Sequence, residues 1–224
     1  MSIDLAVLDI AGTTVQEHGA VYRVLEEALR DAGASVGPAE VARWMGADKR
    51  ESIRTLLAED GGRPDERLVE RVHDDFRGRL ERAYDERPPA PLDGVPEALA
   101  ALRSGGARVV LTTGFDREIT DDVLRRVGWA DGVVDGVVCA DDVPAGRPAP
   151  YMIFRALEMT GVQRLAATLV AGDTVRDLEA GANARAGWIV GVLTGGSDAG
   201  TLARAPHTHL LAGVGEIPSL VAAA

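Results

Sequence analysis

The sequence has almost no lysine. Lys49 is the sole lysine among 24 basic residues, and every other one is arginine. The richness in Ala, Gly and Arg points to a coding bias that replaces lysine wherever only positive charge is wanted. A retained lysine then raises the question of what an amine does that a guanidinium does not: it can lose its proton and attack a carbonyl. Composition alone leaves chance survival as the plainer alternative. Cysteine is as scarce: Cys139 stands alone, which excludes an internal disulfide and suits a reducing compartment. No apolar run approaches the roughly 20 residues of a membrane span. The first residues show no basic stretch followed by an apolar core and a small-residue cleavage site. A cytoplasmic location and no membrane partner are therefore expected. Positive charge is in deficit, with a net charge of −11, which argues against nucleic acid, because phosphate backbones need basic patches. A small anionic substrate stays open, since one local cluster of positive charge suffices for it. The 224 residues fit one large domain or two modest ones and bury enough surface to need no staples.

What is present begins with Leu5-Ala6-Val7-Leu8, closed by Asp9 and followed by Ile10-Ala11-Gly12-Thr13-Thr14. A short apolar run ended by a carboxylate and a Gly-Thr turn reads as a buried parallel strand, whose carboxyl end opens on a crevice where such sheets bind ligands. Asp9 there can be a nucleophile, a metal ligand, both, or an ordinary capping group at a strand end.

The chain then turns helical. Val21, Val24, Leu25, Ala28 and Leu29 recur at helical spacing, and Gly33 is a stop. Pro38 opens a short helix expected to carry Val41, Trp44 and Met45 and to end at Gly46. Asp48 and Glu51 have capping-box spacing, which places Lys49 in a first helical turn with Ile53, Leu56 and Leu57 on its face. Pro64 is expected to begin a longer helix with Leu68, Val72, Phe76 and Leu80 on one side. Pro88, Pro89 and Pro91 read as a linker. From there helices and strands alternate: helix 95–102, strand 109–112, helix 117–127, strand 137–139, helix 149–159, strand 167–171, helix 176–186, strand 189–193, with Leu210-Leu211 as a last edge strand. This alternation predicts an α/β fold, a doubly wound parallel Rossmann-like sheet. Residues 1–16 and 88–224 would form that core. Residues 17–87 would be an all-helical cap inserted after the first strand. His207 and His209 share one face of a strand and raise a metal site, though solvent contact at a sheet edge explains them more simply.

Polar signals collect at the strand ends: Asp9, Thr113-Gly114, and Asp173 with Asp177, joined by Arg147 in the loop PAGRPAP. In a parallel sheet these ends share one edge. Carboxylates with a backbone carbonyl suit Mg²⁺, an oxygen-seeking ion. Thr113 and Gly114 can hold phosphate oxygens, and Arg147 can neutralise both phosphate and carboxylate. Singly, each has an ordinary alternative as a cap, a turn or a surface charge.

This order resembles the haloacid dehalogenase (HAD) superfamily over the whole chain. Most phosphatases of that superfamily carry a second aspartate two residues after the first, which protonates the leaving alcohol; here that position is Ala11. DIAGTTV, TTGF, DDVPAGRPAP, GDTVRD and Met45-Gly46-Ala47-Asp48-Lys49 look like the phosphonatase, or phosphonoacetaldehyde hydrolase, branch. That resemblance implies Asp9, Lys49, Thr113 and Arg147 as catalytic residues. It implies Ala11, Gly12, Thr13, Met45, Gly46, Gly114 and Phe115 around the substrate, and Mg²⁺ held by Asp9, the Ala11 carbonyl, Asp173 and Asp177. A homodimer through the cap is also implied.

The chemistry accounts for the pattern. Carbon is a far poorer leaving group than an alkoxide, so an acid at position 11 would not help. An amine that condenses with the neighbouring carbonyl makes a protonated imine, which accepts the C–P electrons. Lys49 would be that amine and Asp9 the nucleophile that takes the phosphoryl group, in a Mg²⁺-dependent reaction on phosphonoacetaldehyde or a related 2-oxoalkylphosphonate. To attack, Lys49 must be neutral, and burial and a helix N-terminus both favour that, while Asp48 opposes it. Two positions depart from the branch: Ser52 stands where a histidine is expected, and Phe115 where a tyrosine is. The alternative is a phosphomonoesterase for a small metabolite, of the phosphoglycolate phosphatase kind, against which Ala11 argues. A dehalogenase would have no use for the late acidic pair, and a non-catalytic binding module none for the full set of strand-end groups.

Overall fold

The computed structural model describes residues 2–59 and 63–223. Its centre is β1 (Leu5–Asp9), buried at every position. It lies parallel to β4 (Arg108–Thr112) on one side and β6 (Thr168–Gly172) on the other. A central strand covered on both faces needs apolar side chains throughout, so it shows a run rather than an alternation. Ala6 and Leu8 belong to the core on one face, Leu5 and Val7 to the core on the other, as a two-residue period requires. With β5 (Gly136–Val138), β7 (Trp188–Val192) and β8 (His209–Leu211) the sheet is six-stranded, in the order β5-β4-β1-β6-β7-β8, with every pairing parallel.

Helices α5 (Val95–Ser104), α6 (Arg117–Arg126), α7 (Tyr151–Thr160) and α8 (Val175–Ala184) connect these strands, with short helices α9 (Ala199–Leu202) and α10 (Ile217–Ala222) near the end of the chain. Met152, Ile153 and Ala156 of α7 and Ala180 and Ala184 of α8 pack against Leu5, Val7, Val110 and Val138. The expected doubly wound parallel α/β sheet is thus the observed fold.

Between β1 and α5 lies a helical insertion. It leaves the sheet through β2 (Val15–Gln16) and returns through β3 (Ala90–Pro91), and these two pair antiparallel as a ribbon at its base. Two-residue strands carry no readable period, and the prolines at 88–91 masked the second. The insertion contains α1 (Ala20–Asp31), α2 (Pro38–Ala42), α3 (Lys49–Ala58) and α4 (Glu66–Glu86). α1 buries the expected Val21, Val24, Leu25, Ala28 and Leu29. On α4 the buried stripe is Val69, Val72, His73, Phe76, Leu80, Ala83 and Tyr84. It starts at Glu66 rather than Pro64 because Asp65 caps it, accepting from the Leu68 amide at 2.7 Å. Leu68 itself stays half-buried.

Two further expectations shift. The helix from Pro38 stops at Ala42, and Trp44, Met45 and Ala47 instead donate their amides to carbonyls three residues back. These turns carry Met45 and Gly46 out towards the sheet. α7 begins at Tyr151, not Ala149, with Pro150 at its cap. His209 opens β8 but stacks on Trp188, with centroids 5.5 Å apart. The Nδ1 atoms of His207 and His209 lie 2.8 Å from the Ala205 carbonyl and 2.9 Å from Thr208 Oγ1, so the pair is held by local contacts. Among the described residues no helix is long and apolar enough to cross a membrane.

Candidate active site

Register alone brings the strand-end groups together. Asp9 is the neighbour of Thr112 across the β1–β4 pairing, and Leu8 is the neighbour of Ala171 across β1–β6. Thr113 and Asp173 therefore emerge beside Asp9 at one edge. All three are buried.

Arg147 reaches this edge from the loop after β5. Its guanidinium is 4% exposed. One nitrogen, Nη1, donates to Asp9 Oδ1 at 2.6 Å and also to Asp177 Oδ1. Its Nε has no hydrogen-bond partner among the described residues, which leaves a buried cationic donor for an anionic ligand. Asp173 accepts from the Thr13 hydroxyl at 2.9 Å and from the Gly196 amide at 2.7 Å. Gly12, at φ +87°, has to be glycine here, because a Cβ would stand 2.7 Å from Asp173 Oδ2. Thr113 Oγ1 accepts from the Phe115 amide at 3.1 Å, which leaves its own proton to donate.

The fourth wall comes from the insertion. The α2–α3 turn lays Gly46 against Thr174 and Ala47 against Gly114: a Cβ on Gly46, at φ +74°, would stand 2.6 Å from Thr174 Oγ1, and one on Gly114 would run into the Ala47 carbonyl. The Gly46 amide donates to the Tyr22 hydroxyl at 3.2 Å. Asp48 caps α3 as expected, accepting from the Glu51 amide at 2.7 Å. Lys49 follows at the first position of the helix, 3% exposed. Its Nζ donates to the Ala47 carbonyl at 2.7 Å and lies 5.7 Å from the Tyr22 ring centroid and 5.8 Å from that of Phe115. Burial is the main force on this amine and holds it down at about 8; Asp48 opposes the shift and Arg147 adds to it.

Asp9, Ala11, Gly46, Lys49, Thr113, Gly114, Phe115, Arg147 and Asp173 all line one small cavity of about 20 Å³, room for about one water. Other predicted site residues stand back from the cavity. Thr13 donates to Asp173, Gly12 packs beside it, and Met45 turns its sulfur to Gly196. Asp177, expected as a metal ligand, has both oxygens engaged: one by Arg147, the other by the amide and hydroxyl of Thr174. It is a partner of Arg147 and caps α8, and it stands behind the residues that line the cavity. Ser52 is buried and donates to the Asp48 carbonyl at 2.6 Å, away from the cavity. Tyr22 and Thr174 line it without having been singled out. Tyr22 falls between the apolar positions of its helix, where nothing marks it.

The donor set suits Mg²⁺. Asp9, the Ala11 carbonyl and Asp173 offer only oxygen. Burial, and then mutual repulsion among Asp9, Asp173 and Asp177, raises the pKa of Asp9 and Asp173 above the usual carboxylate range. Arg147 pairs with Asp9 and Asp177, Asp173 adds a third buried carboxylate close by, and a divalent cation would offset the surplus negative charge.

Comparison with known proteins gives the family. The sequence profile of the haloacid dehalogenase-like hydrolases matches residues 3–185. The phosphonoacetaldehyde hydrolase of Bacillus cereus is 34% identical over 212 residues, covering 89% of this chain and 79% of that protein. Among solved structures, a phosphonoacetaldehyde hydrolase like protein from Oleispira antarctica superposes with a TM-score of 0.86 at 22% identity, covering 100% of this chain and 92% of its own. CbbY from Rhodobacter sphaeroides, solved in complex with phosphate, does so at 0.81 and 19%, covering 96% of each chain. At such identities these two likenesses speak for the fold.

Proposed function

The chain belongs to the haloacid dehalogenase-like hydrolases and to their phosphonatase-like branch, and from that premise we propose that it hydrolyses the C–P bond of phosphonoacetaldehyde or a related 2-oxoalkylphosphonate. The observation that carries this reading is the place of Lys49. The chain's one lysine is buried in the same cavity as Asp9, with its amine held at about 8. A phosphate ester asks only for positive charge, which an arginine supplies as well. An aldehyde or ketone beside a phosphonate gives it a carbonyl to attack.

In this account neutral Lys49 Nζ adds to the substrate carbonyl and water leaves, giving an imine that is protonated as it forms. Asp9 Oδ then attacks phosphorus. The C–P bond breaks and its electrons pass into the imine as an enamine. Water hydrolyses the aspartyl phosphate; protonation of the enamine carbon and hydrolysis of the imine return the lysine. Arg147, with its unpartnered Nε, and the Thr113 hydroxyl hold the phosphonate oxygens so that one anion can approach another. Bound Mg²⁺, held by Asp9, the Ala11 carbonyl and Asp173, would supply further charge compensation at the phosphoryl group. Residues 17–87 act as the cap that closes over the substrate and excludes water. A phosphomonoesterase reading shares the fold, but Ala11 leaves it without the acid that an alkoxide leaving group wants.

Borohydride reduction in the presence of phosphonoacetaldehyde tests the reading. Mass spectrometry should find one reduced adduct per chain, on Lys49. Absence of that adduct while phosphate is still released would refute the imine route.

A further inference from the structure

Outside the cavity, one buried carboxylate joins the insertion to the sheet. Asp116 directly follows Phe115 and is 7% exposed. One of its oxygens caps α6, accepting from the Ile119 amide at 3.0 Å. The other faces the insertion: Arg50 Nη1 of α3 donates to it at 3.3 Å, and His73 Nε2 of α4 lies 3.2 Å away. His73 is 1% exposed, and neither of its ring nitrogens has an aligned hydrogen-bond partner among the described residues. Glu70 holds the other side of the Arg50 guanidinium at 2.9 Å. The pairing runs one residue out of phase with the chemistry: Lys49 packs on Phe115, and the next residues, Arg50 and Asp116, form the ion pair.

Farther along α4 the seam with α6 is polar and loosely filled. Arg77 meets Glu118, and Asp85 meets Arg126 at 2.8 Å. A groove of about 400 Å³ lies between the two helices. Next to Lys49 and Phe115, the Asp116 contact joins α3 and α4 directly to the residue after Phe115.

We propose that Asp116 is a positioning residue: through Arg50 and His73 it docks the insertion on the sheet and so holds Lys49 buried against Phe115 in its reactive place. The carboxylate itself suits that task. Burial alone would raise its pKa, but His73, the Ile119 amide and Arg50 outweigh that and keep it ionised, at about 2.

The inference rests on Lys49 as the imine-forming amine, yet its test reads the surroundings of the lysine whether or not an imine forms. With one lysine in the chain, growth on lysine labelled with ¹³C at the ε carbon gives one ε-CH₂ resonance. In the full-length protein that resonance should be displaced by the Tyr22 and Phe115 rings and titrate near 8. Asp116→Asn keeps an oxygen for the α6 cap and loses the charge. It should move the resonance to the position of an exposed lysine, with a midpoint climbing towards about 10.4. At neutral pH kcat on phosphonoacetaldehyde should fall about tenfold for each unit climbed, with KM changing much less. The double variant Arg50→Gln/His73→Gln leaves the α6 cap untouched and should do the same, and it carries the test if Asp116→Asn does not fold. An undisplaced midpoint and resonance in these variants would overturn the proposal, even if the enzyme cleaves the phosphonate.

Discussion

The ε-amine of Lys49 donates to the carbonyl of Ala47, two residues before it, at 2.7 Å. A neutral amine in that bond keeps its lone pair free for a carbonyl carbon. Burial lowers the pKa of this amine to about 8 and so raises the share of the neutral form, the one that attacks a carbonyl, above that of an exposed lysine.

The sign of the pH dependence follows. Burial lowers the pKa of this amine, so the reactive neutral form appears as pH rises through about 8, well below the 10.4 or so of an exposed lysine. The rate of imine formation should rise with pH along a limb centred near 8. A limb near 10 would mean that Lys49 is solvated when it reacts. The check is the rate of borohydride-trapped adduct across pH 6 to 10.

Arg147 separates two buried carboxylates. Replacing it by methionine leaves Asp9 and Asp177 facing each other without a cation. Breaking a buried pair in this way typically costs about 3–5 kcal/mol. Arg147→Met should lower stability by that order in a denaturant titration and abolish turnover. Arg147→Lys, with one donor centre in place of a planar fork, should retain the fold and lose most of the activity.

The Gly46–Thr174 contact gives a subtler test. A methyl group on Gly46 at φ +74° would stand 2.6 Å from Thr174 Oγ1. Left-handed backbone with a Cβ costs about 1–2 kcal/mol. Gly46→Ala should therefore loosen the closed form, lowering kcat/KM for the phosphonate several-fold or more, while thermal unfolding moves by only a few degrees. An unaltered kcat/KM would mean that the α2–α3 turn does not seat against Thr174 during the reaction.

Much of this arrangement was legible in the sequence, for physical reasons. β1 shows as an apolar run because it is buried on both faces, and Asp9 shows because a carboxylate ending such a run is conspicuous. Lys49 shows because it is the one lysine, next to a readable helix cap at Asp48. The legible residues were those whose chemistry is carried by type and local spacing. What stayed hidden depends on long-range contact. The pairing of Asp177 with Arg147, thirty residues away, is one such contact. Asp116 and His73 lie far apart in sequence, and one reads as a helix cap, the other as a polar residue on an apolar stripe. The β2–β3 ribbon is too short for any period, and the end of α2 at Ala42 is set by the turns that carry Gly46 to Thr174.

The central claim is that Lys49 makes the C–P bond cleavable, and the most direct measurement is phosphate release from phosphonoacetaldehyde with Mg²⁺, beside p-nitrophenyl phosphate, for the wild type and Lys49→Arg. A guanidinium stays protonated and forms no imine. The account predicts phosphate from the phosphonate in the wild type and a loss of at least about a thousandfold in the variant, the order expected when a covalent route is removed. Turnover of the ester alone, untouched by Lys49→Arg, would contradict it and make this enzyme a phosphatase that works without the usual acid at position 11.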